Sequence, residues 1–306
     1  MELRKVLFEA LKKEMEQDER VVSIDADLGK ADGVLKLHEL FPERAFDAGI
    51  AEANMAAMAA GMASCGLIPV INTFAAFATR RICDKIAVSI CYAERNVKII
   101  GTDPGITAEL NGGTHMTFED IGVVRSIPGI TVLEPADAAE LAQMAPAMIR
   151  HEGPVYMRMY RKEAPPVHGE DYKYELGKAD RLREGGDVTI VCAGIMVPEA
   201  LKAAETLAAE GIGAEVLNIH TIKPLDRAAI LASAAKTGAV AAAENHNVLG
   251  GLGAAVAELL SAELPTKMAF VGVKDVKGEV GRLPYLREQF GLTAAEIVRA
   301  VRALKG

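Results

Sequence analysis

The sequence has no tryptophan, and only 5% of its 306 residues are aromatic. No apolar run is long enough to cross a membrane, and residues 1–20 form an amphipathic charged segment rather than a signal peptide. These absences predict a cytoplasmic protein that makes no contact with a membrane. Because aromatic side chains are scarce, a pair of them close together in the sequence needs a specific explanation.

Excess positive charge and clustered cysteines are also missing. The formal net charge is −8, whereas nucleic-acid binding needs clustered Lys and Arg, so we predict no nucleic-acid partner. A small molecule is the better expected ligand. The cysteines lie apart in apolar segments, without the spacing of a metal site or a disulfide framework, which predicts buried reduced thiols at Cys65, Cys83, Cys91 and Cys192.

The sequence does contain alternating strand and helix patterns, and 50% of its residues are hydrophobic. This length and composition suffice for about two domains. Residues 3–16 have the apolar spacing of a helix, and residues 21–27 form an apolar run that predicts a buried parallel strand. Proline, glycine and charge interrupt the pattern at residues 165–186, which predicts a linker. We therefore predict two α/β domains, at residues 1–164 and, smaller, at 187–306.

A single carboxylate stands out in the segment from residue 46 to 81. Glu52 is the only charged residue between Ala48 and Ala63, and residues 53–63, rich in Ala and Met, predict a buried helix. Burial raises the pKa of such a carboxylate unless the helix N-terminus or a cation offsets the cost. Glu52 is thus suited to exchanging a proton with a heteroaromatic nitrogen, or it is a simple charge at a helix start.

Two of the scarce aromatic residues, Phe74 and Phe77, follow a strand predicted at residues 67–71. Because they are three residues apart, they either form a stacking platform for a flat ring or belong to the core. Arg80 follows them directly along the chain.

The order of features in this segment resembles the pyrimidine-binding domain of the transketolase family. These features are Gly-Ile-x-Glu-x-x-Met, a helix of small residues, a strand, and Thr-Phe-x-x-Phe before Arg. The resemblance implies thiamine diphosphate as cofactor, with Glu52 catalytic and hydrogen-bonded to N1′ of its aminopyrimidine, where it drives tautomerisation. It also implies that Phe77 stacks on this ring and that Phe74 and Arg80 belong to the cofactor site. Asp27, in an Asp-Leu pair after the first strand, would lie near the cofactor and a subunit contact.

The same resemblance gives a role to His115, a lone loop histidine that is otherwise most simply a solvated side chain. Transketolases carry Asp-Gly-Pro-Thr-His here, so His115 is implied to be catalytic, contacting substrate oxygens and transferring protons. The substrate-binding residues implied with it are Asn111, in place of the family's Asp, and Arg161, at the spacing of a phosphate-binding Arg. Asp103 stands where transketolases usually have His, which adds an anion at the phosphate end and puts a standard sugar phosphate in doubt.

Full-length transketolases also bind Mg²⁺ and the cofactor's diphosphate through a Gly-Asp-Gly segment followed by Asn, which this sequence lacks. The segment at 244–253 instead resembles the family's C-terminal domain, where it is mainly structural and lies at the subunit interface. The resemblance therefore covers only the C-terminal half of a transketolase. It implies that a separate N-terminal subunit supplies the Mg²⁺ ligands and that this chain has no metal ligands. It also implies a heterotetramer of the two kinds of subunit.

The predicted activity is transfer of a two-carbon ketol unit from a ketose or ketose phosphate to an aldose or aldose phosphate, as in pentose phosphate metabolism. Three alternatives remain: a 1-deoxyxylulose-5-phosphate synthase-like carboligase, the beta subunit of a 2-oxo acid dehydrogenase, and a non-catalytic assembly partner. His115 favours sugar transfer over the dehydrogenase. The presence of Glu52, Phe77 and His115 together argues against a scaffold, which has no chemical need for all three.

Overall fold

The apolar runs of the sequence form two β-sheets in the computed structural model, which describes residues 1–306. The strands are, in chain order, β1 (Val21–Asp25), β2 (Ala45–Asp47), β3 (Ile68–Phe74), β4 (Lys98–Thr102), β5 (Thr131–Leu133), β6 (Val155–Met159), β7 (Asp180–Arg183), β8 (Val188–Cys192), β9 (Ala214–Asn218), β10 (Thr221–Lys223), β11 (Ala239–Asn247) and β12 (Lys267–Val273). All residues of β1, β3, β4 and β6 are buried, as expected for parallel strands covered by helices on both faces.

Helices connect these strands and cover the sheets. They are α1 (Leu3–Gln17), α2 (Gly29–Asp32), α3 (Leu35–Leu40), α4 (Glu52–Ser64), α5 (Ala75–Thr79), α6 (Asp120–Arg125), α7 (Ala138–Arg150), α8 (Val197–Ala209), α9 (Arg227–Thr237), α10 (Leu252–Glu263), α11 (Leu283–Phe290) and α12 (Ala294–Lys305). Between α5 and β4, the segment Lys85–Tyr92 forms a π-helix. None of the helices is both long and apolar enough to span a membrane.

The first sheet has the strand order β10-β5-β6-β4-β3-β1-β2, and the second has the order β12-β11-β8-β9-β7. In the first sheet every pair is parallel except β10 with β5. The carboxyl ends of β1, β2, β3, β4 and β6 therefore meet at one edge, where α/β proteins place their ligands. The α/β fold with two sheets agrees with the prediction.

Two short strands lie where the sequence pattern did not predict them. Strand β7 falls inside residues 165–186, the predicted linker, and pairs with β9. Strand β10 belongs to the second half of the chain but pairs with β5 of the first sheet. One apolar cluster includes Leu7 and Met157 from the first half and Ile190 and Val301 from the second. The two sheets thus share a continuous core, and the domain bounds stay a prediction.

Asn245, in β11 of the second sheet, is hydrogen-bonded to the loop that follows β4 of the first sheet. Its side chain donates to the carbonyl of Pro104 at 2.9 Å and accepts from the backbone of Ile106 at 3.0 Å. Gly105, between them, has φ +57°, and a Cβ there would lie 2.2 Å from Asn245 Oδ1. Glycine is required at this position both by its backbone conformation and by the close approach.

The four cysteines are free thiols, but their burial differs from the prediction. Cys91 and Cys192 are buried and Cys83 is partly buried, whereas Cys65 is exposed. The prediction of burial was wrong for Cys65 because this residue caps the C-terminal end of α4, where the chain turns into solvent before β3.

Candidate active site at the carboxyl edge of the first sheet

Glu52 is the first residue of α4, and its side chain is only 3% exposed. Carboxylate oxygen Oε1 accepts a hydrogen bond from Nη1 of Arg81, whose side chain is 44% exposed. The positive end of the helix dipole and this guanidinium together stabilise a carboxylate that burial would otherwise disfavour. The sequence predicted such an offset but did not single out Arg81, which lies four residues after Phe77, the spacing of neighbours on a helix face.

Three rings, Phe74, Phe77 and His115, form what we term the ring cluster. The centroid of His115 lies 5.9 Å from that of Phe74 and 5.2 Å from that of Phe77, in edge-on arrangements. The two phenylalanine centroids are 6.1 Å apart. The guanidinium carbon of Arg81 lies 3.9 Å from the centroid of Phe77, over its face. The structure therefore places predicted cofactor-binding residues at the junction of β3 and α5 beside a predicted catalytic residue from a separate loop.

Arg80 contacts the loop that carries His115. Its Nη2 donates to the carbonyl of Thr114 at 3.1 Å, and its Nε lies 3.0 Å from Oε1 of Glu119. The hydroxyl of Thr114 is in turn 2.9 Å from Nδ1 of His115. These contacts favour a role for Arg80 in positioning His115, and its predicted role in cofactor binding stays a prediction.

Arg161 and Asp103 form an ion pair at the ends of β6 and β4. Nε of Arg161 lies 2.6 Å from Oδ2 of Asp103, and the backbone N–H of Arg161 donates to Oδ1 at 3.2 Å. The guanidinium carbon is also 5.1 Å from the centroid of Phe74. Burial raises the pKa of Asp103 to about 6, although the Arg161 charge opposes the rise. The cation predicted to bind substrate thus has its own buried counter-ion.

A second buried acid, Asp32, lies close to this pair. Its Oδ1 accepts from the hydroxyl of Thr102 at 2.6 Å, and its Oδ2 has no partner. Burial raises the pKa of Asp32 to about 7, the hydrogen bond from Thr102 opposes the rise, and the charge of Asp103 adds to it. The sequence analysis missed Asp32 because a single acid at the end of a four-residue helix carries no distinguishing pattern.

The other two predicted site residues, Asp27 and Asn111, are exposed and make no side-chain contact with the ring cluster. Asp27 has φ +61°, and its backbone N–H donates at 2.8 Å to Oδ1 of Asp47, which also accepts from Gly49 at 2.7 Å. This ties the turn after β1 to the loop that leads into Glu52. Asn111 ends a 3₁₀ helix (Gly105–Asn111), and its side chain makes no hydrogen bond within the chain.

The contacts of Arg81 show which chemistry this site accepts. The planar guanidinium of Arg81 lies over the face of Phe77 and donates an N–H to the carboxylate of Glu52. An aminopyrimidine ring protonated at a ring nitrogen offers the same flat face and the same N–H donor. The residues present therefore fit the pyrimidine end of thiamine diphosphate, provided that the long side chain of Arg81 turns outward.

Comparisons with known proteins agree with this geometry. The family profile described as the transketolase pyrimidine-binding domain matches residues 1–166, and that of the transketolase C-terminal domain matches residues 177–297. A 6-deoxy-6-sulfo-D-fructose transketolase subunit of Clostridium sp. strain MSTE9 is 54% identical over 97% of this chain and 92% of its own length. A 1-deoxy-D-xylulose-5-phosphate synthase of Geobacter sulfurreducens is 36% identical over 94% of this chain but only 45% of its own.

A solved structure resembles the whole chain. It is a split-gene transketolase, an inactive β4 tetramer, with 42% sequence identity and a TM-score of 0.90. The match covers 99% of this chain and 98% of that one. The resemblance thus extends over both sheets and is not confined to the ring cluster.

Proposed function

Since this chain belongs to the transketolase family, we propose that it is the C-terminal subunit of a split transketolase that moves a two-carbon ketol unit from a ketose to an aldose. The observation that supports this most is the buried Glu52 carboxylate, which binds the guanidinium that lies over the face of Phe77, with the imidazole of His115 packed edge-on against the same ring. A proton-exchanging acid, a stacking face and a second acid–base group therefore converge on one place.

Each residue has a distinct part in this proposal. Thiamine diphosphate, when bound, supplies the carbon nucleophile that carries the two-carbon unit. Glu52 holds and returns a proton at N1′ of the aminopyrimidine, and Phe77 fixes that ring by stacking. His115, held by the Arg80–Thr114 contacts, orients the substrate's carbonyl and hydroxyl oxygens and moves protons between them.

The diphosphate and Mg²⁺ ligands are proposed to come from a separate N-terminal subunit. This chain has no Gly-Asp-Gly segment, and its one cluster of metal-ligating side chains, Glu140, His168 and Asp180, belongs to α7 and the region around β7 and not to the edge that carries Glu52. Because the cofactor of this family lies between two such domains, the proposed assembly is a heterotetramer of two copies of each subunit.

We expect the isolated chain to bind thiamine diphosphate weakly and to show no turnover. Adding the N-terminal subunit with Mg²⁺ is expected to restore transfer between a ketose and an aldose. Light scattering of the active complex should give the mass of two copies of each chain. Robust turnover by the isolated chain would contradict the split-enzyme proposal, and a fully active one-to-one complex would contradict the heterotetramer.

We further propose that the donor is a ketose with a terminal monoanion, a sulfonate being favoured over a phosphate. The similar Clostridium protein is named as a subunit acting on 6-deoxy-6-sulfo-D-fructose. A sulfonate carries one negative charge, whereas a phosphate monoester carries about 1.5 to 2 at neutral pH. Because Asp103 already neutralises part of the Arg161 charge at 2.6 Å, the site is better matched to the smaller charge.

Anion binding at Arg161 should therefore depend on pH. Above about pH 6 Asp103 is ionised and competes with the ligand for Arg161, while below that pH its protonation releases the guanidinium. We expect the affinity for a sulfonate-bearing donor to rise as pH falls through about 6. At neutral pH the Asp103→Asn complex should bind the sulfonate up to about tenfold more tightly than the unmodified complex. Calorimetric titration of the complex with a non-reacting alkyl sulfonate measures both, because a sulfonate does not itself titrate in this range.

The control for this prediction is Asp171→Asn, which removes the same charge from an exposed residue. It should keep the affinity and the pH dependence of the unmodified complex. If Asp103→Asn behaved in the same way as this control, Arg161 would not be the anion-binding group.

A second candidate function is the carboligase reaction, because of the 36% identity to a 1-deoxy-D-xylulose-5-phosphate synthase. The two activities differ in donor: the synthase uses a 2-oxo acid and loses carbon dioxide, whereas ketol transfer uses a ketose and releases an aldose. Supplying the reconstituted complex with either donor and assaying carbon dioxide and aldose separately decides between them.

A further inference from the structure

A second group of polar side chains lies outside the candidate active site, in the region that joins the two sheets. Glu140 belongs to α7, His168 comes from the segment between the sheets, and Asp180 is the first residue of β7. Each of these three residues presents a ligand atom within 4.8 Å of the other two. His220, in the tight turn between β9 and β10, faces the same place, with its Nε2 lying 3.7 Å from Oδ2 of Asp180. We call these four residues the junction cluster.

Two imidazole nitrogens of the junction cluster have no hydrogen-bond partner. They are Nε2 of His168 and Nε2 of His220, on side chains that are 2% and 0% exposed. Both face Oδ2 of Asp180, at 3.4 Å and 3.7 Å. An unpartnered buried polar group costs about 1–3 kcal/mol, so two at one place call for a ligand.

The other nitrogen of His168 is held in the manner of a metal-binding histidine. Its Nδ1 lies 3.1 Å from Oδ1 of Asp137, and Oδ2 of the same aspartate accepts from the backbone N–H groups of residues 167 and 168. An Nδ1–H donated to a carboxylate fixes the tautomer and leaves the lone pair on Nε2. Outer carboxylates of this kind orient the histidines of zinc sites.

The two carboxylates of the cluster share their side-chain donors, since Nδ2 of Asn218 donates to Oε1 of Glu140 at 2.9 Å and lies 3.5 Å from Oδ2 of Asp180. Oε1 of Glu140 and Oδ2 of Asp180 each lie 3.0 Å from the hydroxyl of Tyr172. A hydroxyl has one hydrogen to donate, so it can satisfy only one of these two oxygens at a time. A cation between the two carboxylates would relieve their repulsion and leave the hydroxyl free to support Glu140 from outside.

We propose that Glu140, His168, Asp180 and His220 bind a divalent transition metal ion, with Zn²⁺ as the best-matched ion. Two imidazoles and two carboxylates are a tetrahedral donor set that suits zinc. Metal–ligand distances of about 2.1 Å give a ligand–ligand separation of about 3.4 Å. The separations of 3.4 Å and 3.7 Å at Asp180 are close to this value. Glu140, His168 and Asp180 lie within 4.8 Å of one another without His220, so Glu140 and His220 must move inward for all four to bind one ion.

The resemblance implied no metal ligands in this chain, and the sequence did not single out these four residues because they are scattered along it and have no motif spacing. The pairing of β7 with β9 sets Asp180 opposite Asn218, two residues before His220, and so brings Asp180 and His220 together. A metal ion here would tie α7, the connecting segment and the turn before β10 to one another. Its role would be to fix the two sheets relative to each other, independently of the proposed ketol transfer.

Titration of the chelator-stripped full chain with Zn²⁺, against a chromophoric competitor, tests this proposal. We expect one Zn²⁺ per chain, a higher Tm, and, with Co²⁺ as the probe, visible absorption bands of a four-coordinate ion. His168→Gln and His220→Gln should each weaken Zn²⁺ binding by at least about tenfold. The matched control is His151→Gln, a histidine outside the cluster that contacts Thr131, which should bind as the unmodified chain does.

Absence of saturable Zn²⁺ binding would overturn the proposal and leave the cluster as a network of ion pairs. Equal affinities of the unmodified chain, His168→Gln and His220→Gln would also overturn it, because the ion would then bind elsewhere. Circular dichroism checks the fold of each variant. If His168→Gln fails to fold, His220→Gln and the Co²⁺ spectrum of the unmodified chain decide the outcome.

Discussion

Glu52→Gln is expected to lower kcat of the reconstituted two-subunit enzyme by about 10² or more, the typical contribution of acid–base catalysis. Glutamine keeps the size of the side chain and one hydrogen bond, but it cannot exchange a proton with N1′ of the cofactor. Assembly should change little, since the Glu52 carboxylate contacts only Arg81 among the charged residues of this chain. A loss in kcat without a comparable loss of complex is therefore the expected pattern.

Exchange of the cofactor's C2 proton with deuterium, followed by NMR, measures this role without substrate. The control is Glu205→Gln, the same change at an exposed position on α8, which should leave the exchange rate unaltered. If Glu52→Gln exchanged this proton as fast as the unmodified enzyme, Glu52 would be only a charge at the start of α4. The proposed placement of the cofactor against Phe77 would then fail as well.

Arg158→Met is expected to destabilise the folded chain by about 3–5 kcal/mol. Arg158 is fully buried on β6, where its guanidinium donates to Asp120 at 2.7 Å, to Glu134 at 2.9 Å and to the carbonyl of Asn245 at 3.0 Å. Methionine fills much of the volume but leaves two buried carboxylates without their cation. Urea-induced unfolding of the variant and the unmodified chain measures the difference in the free energy of unfolding.

The matched control is Arg299→Met, at a residue that is 68% exposed and paired with Glu296 three positions before it. The free energy of unfolding of this variant should fall by about 1 kcal/mol or less. Burial raises the pKa of Glu134 in the folded chain, against the opposing charge of Arg158. Without Arg158 that pKa should rise further above its unfolded value of about 4.3, so the variant should lose stability as pH rises above about 4. A destabilisation no larger than that of the control would contradict the proposed burial cost.

Local patterns singled out Glu52 and Phe77 as candidates, whereas His115 was given a role only by the resemblance to the transketolase family. Glu52 was identifiable because it is a lone charge in an apolar segment, and Phe77 because aromatic residues are scarce. The pairing of Arg161 with Asp103 was not predictable, because it depends on β4 and β6 lying side by side in the sheet. The same limit applies to the contact between Arg81 and Glu52, which joins two separate elements.

Strand prediction from sequence succeeded where strands are buried on both faces and failed at the edges. The apolar run at residues 21–27 became β1, and the helix expected at 3–16 became α1, each with ends shifted by one or two residues. Strand β7 reads Asp-Arg-Leu-Arg and β10 has three residues, so neither presents a hydrophobic run. Their partners in the sheets, and not their own composition, make them strands.

The pairing of β10 with β5 bears on how this chain can be divided. A fragment ending near residue 186 would keep most of the first sheet but lack β10, and the backbone N–H and C=O groups of β5 would become an open edge. Open edges of this kind recruit strands from other molecules, so the fragment would be prone to aggregate. Anyone shortening, fusing or circularly rearranging this protein should therefore keep residues 221–223 attached to its first half.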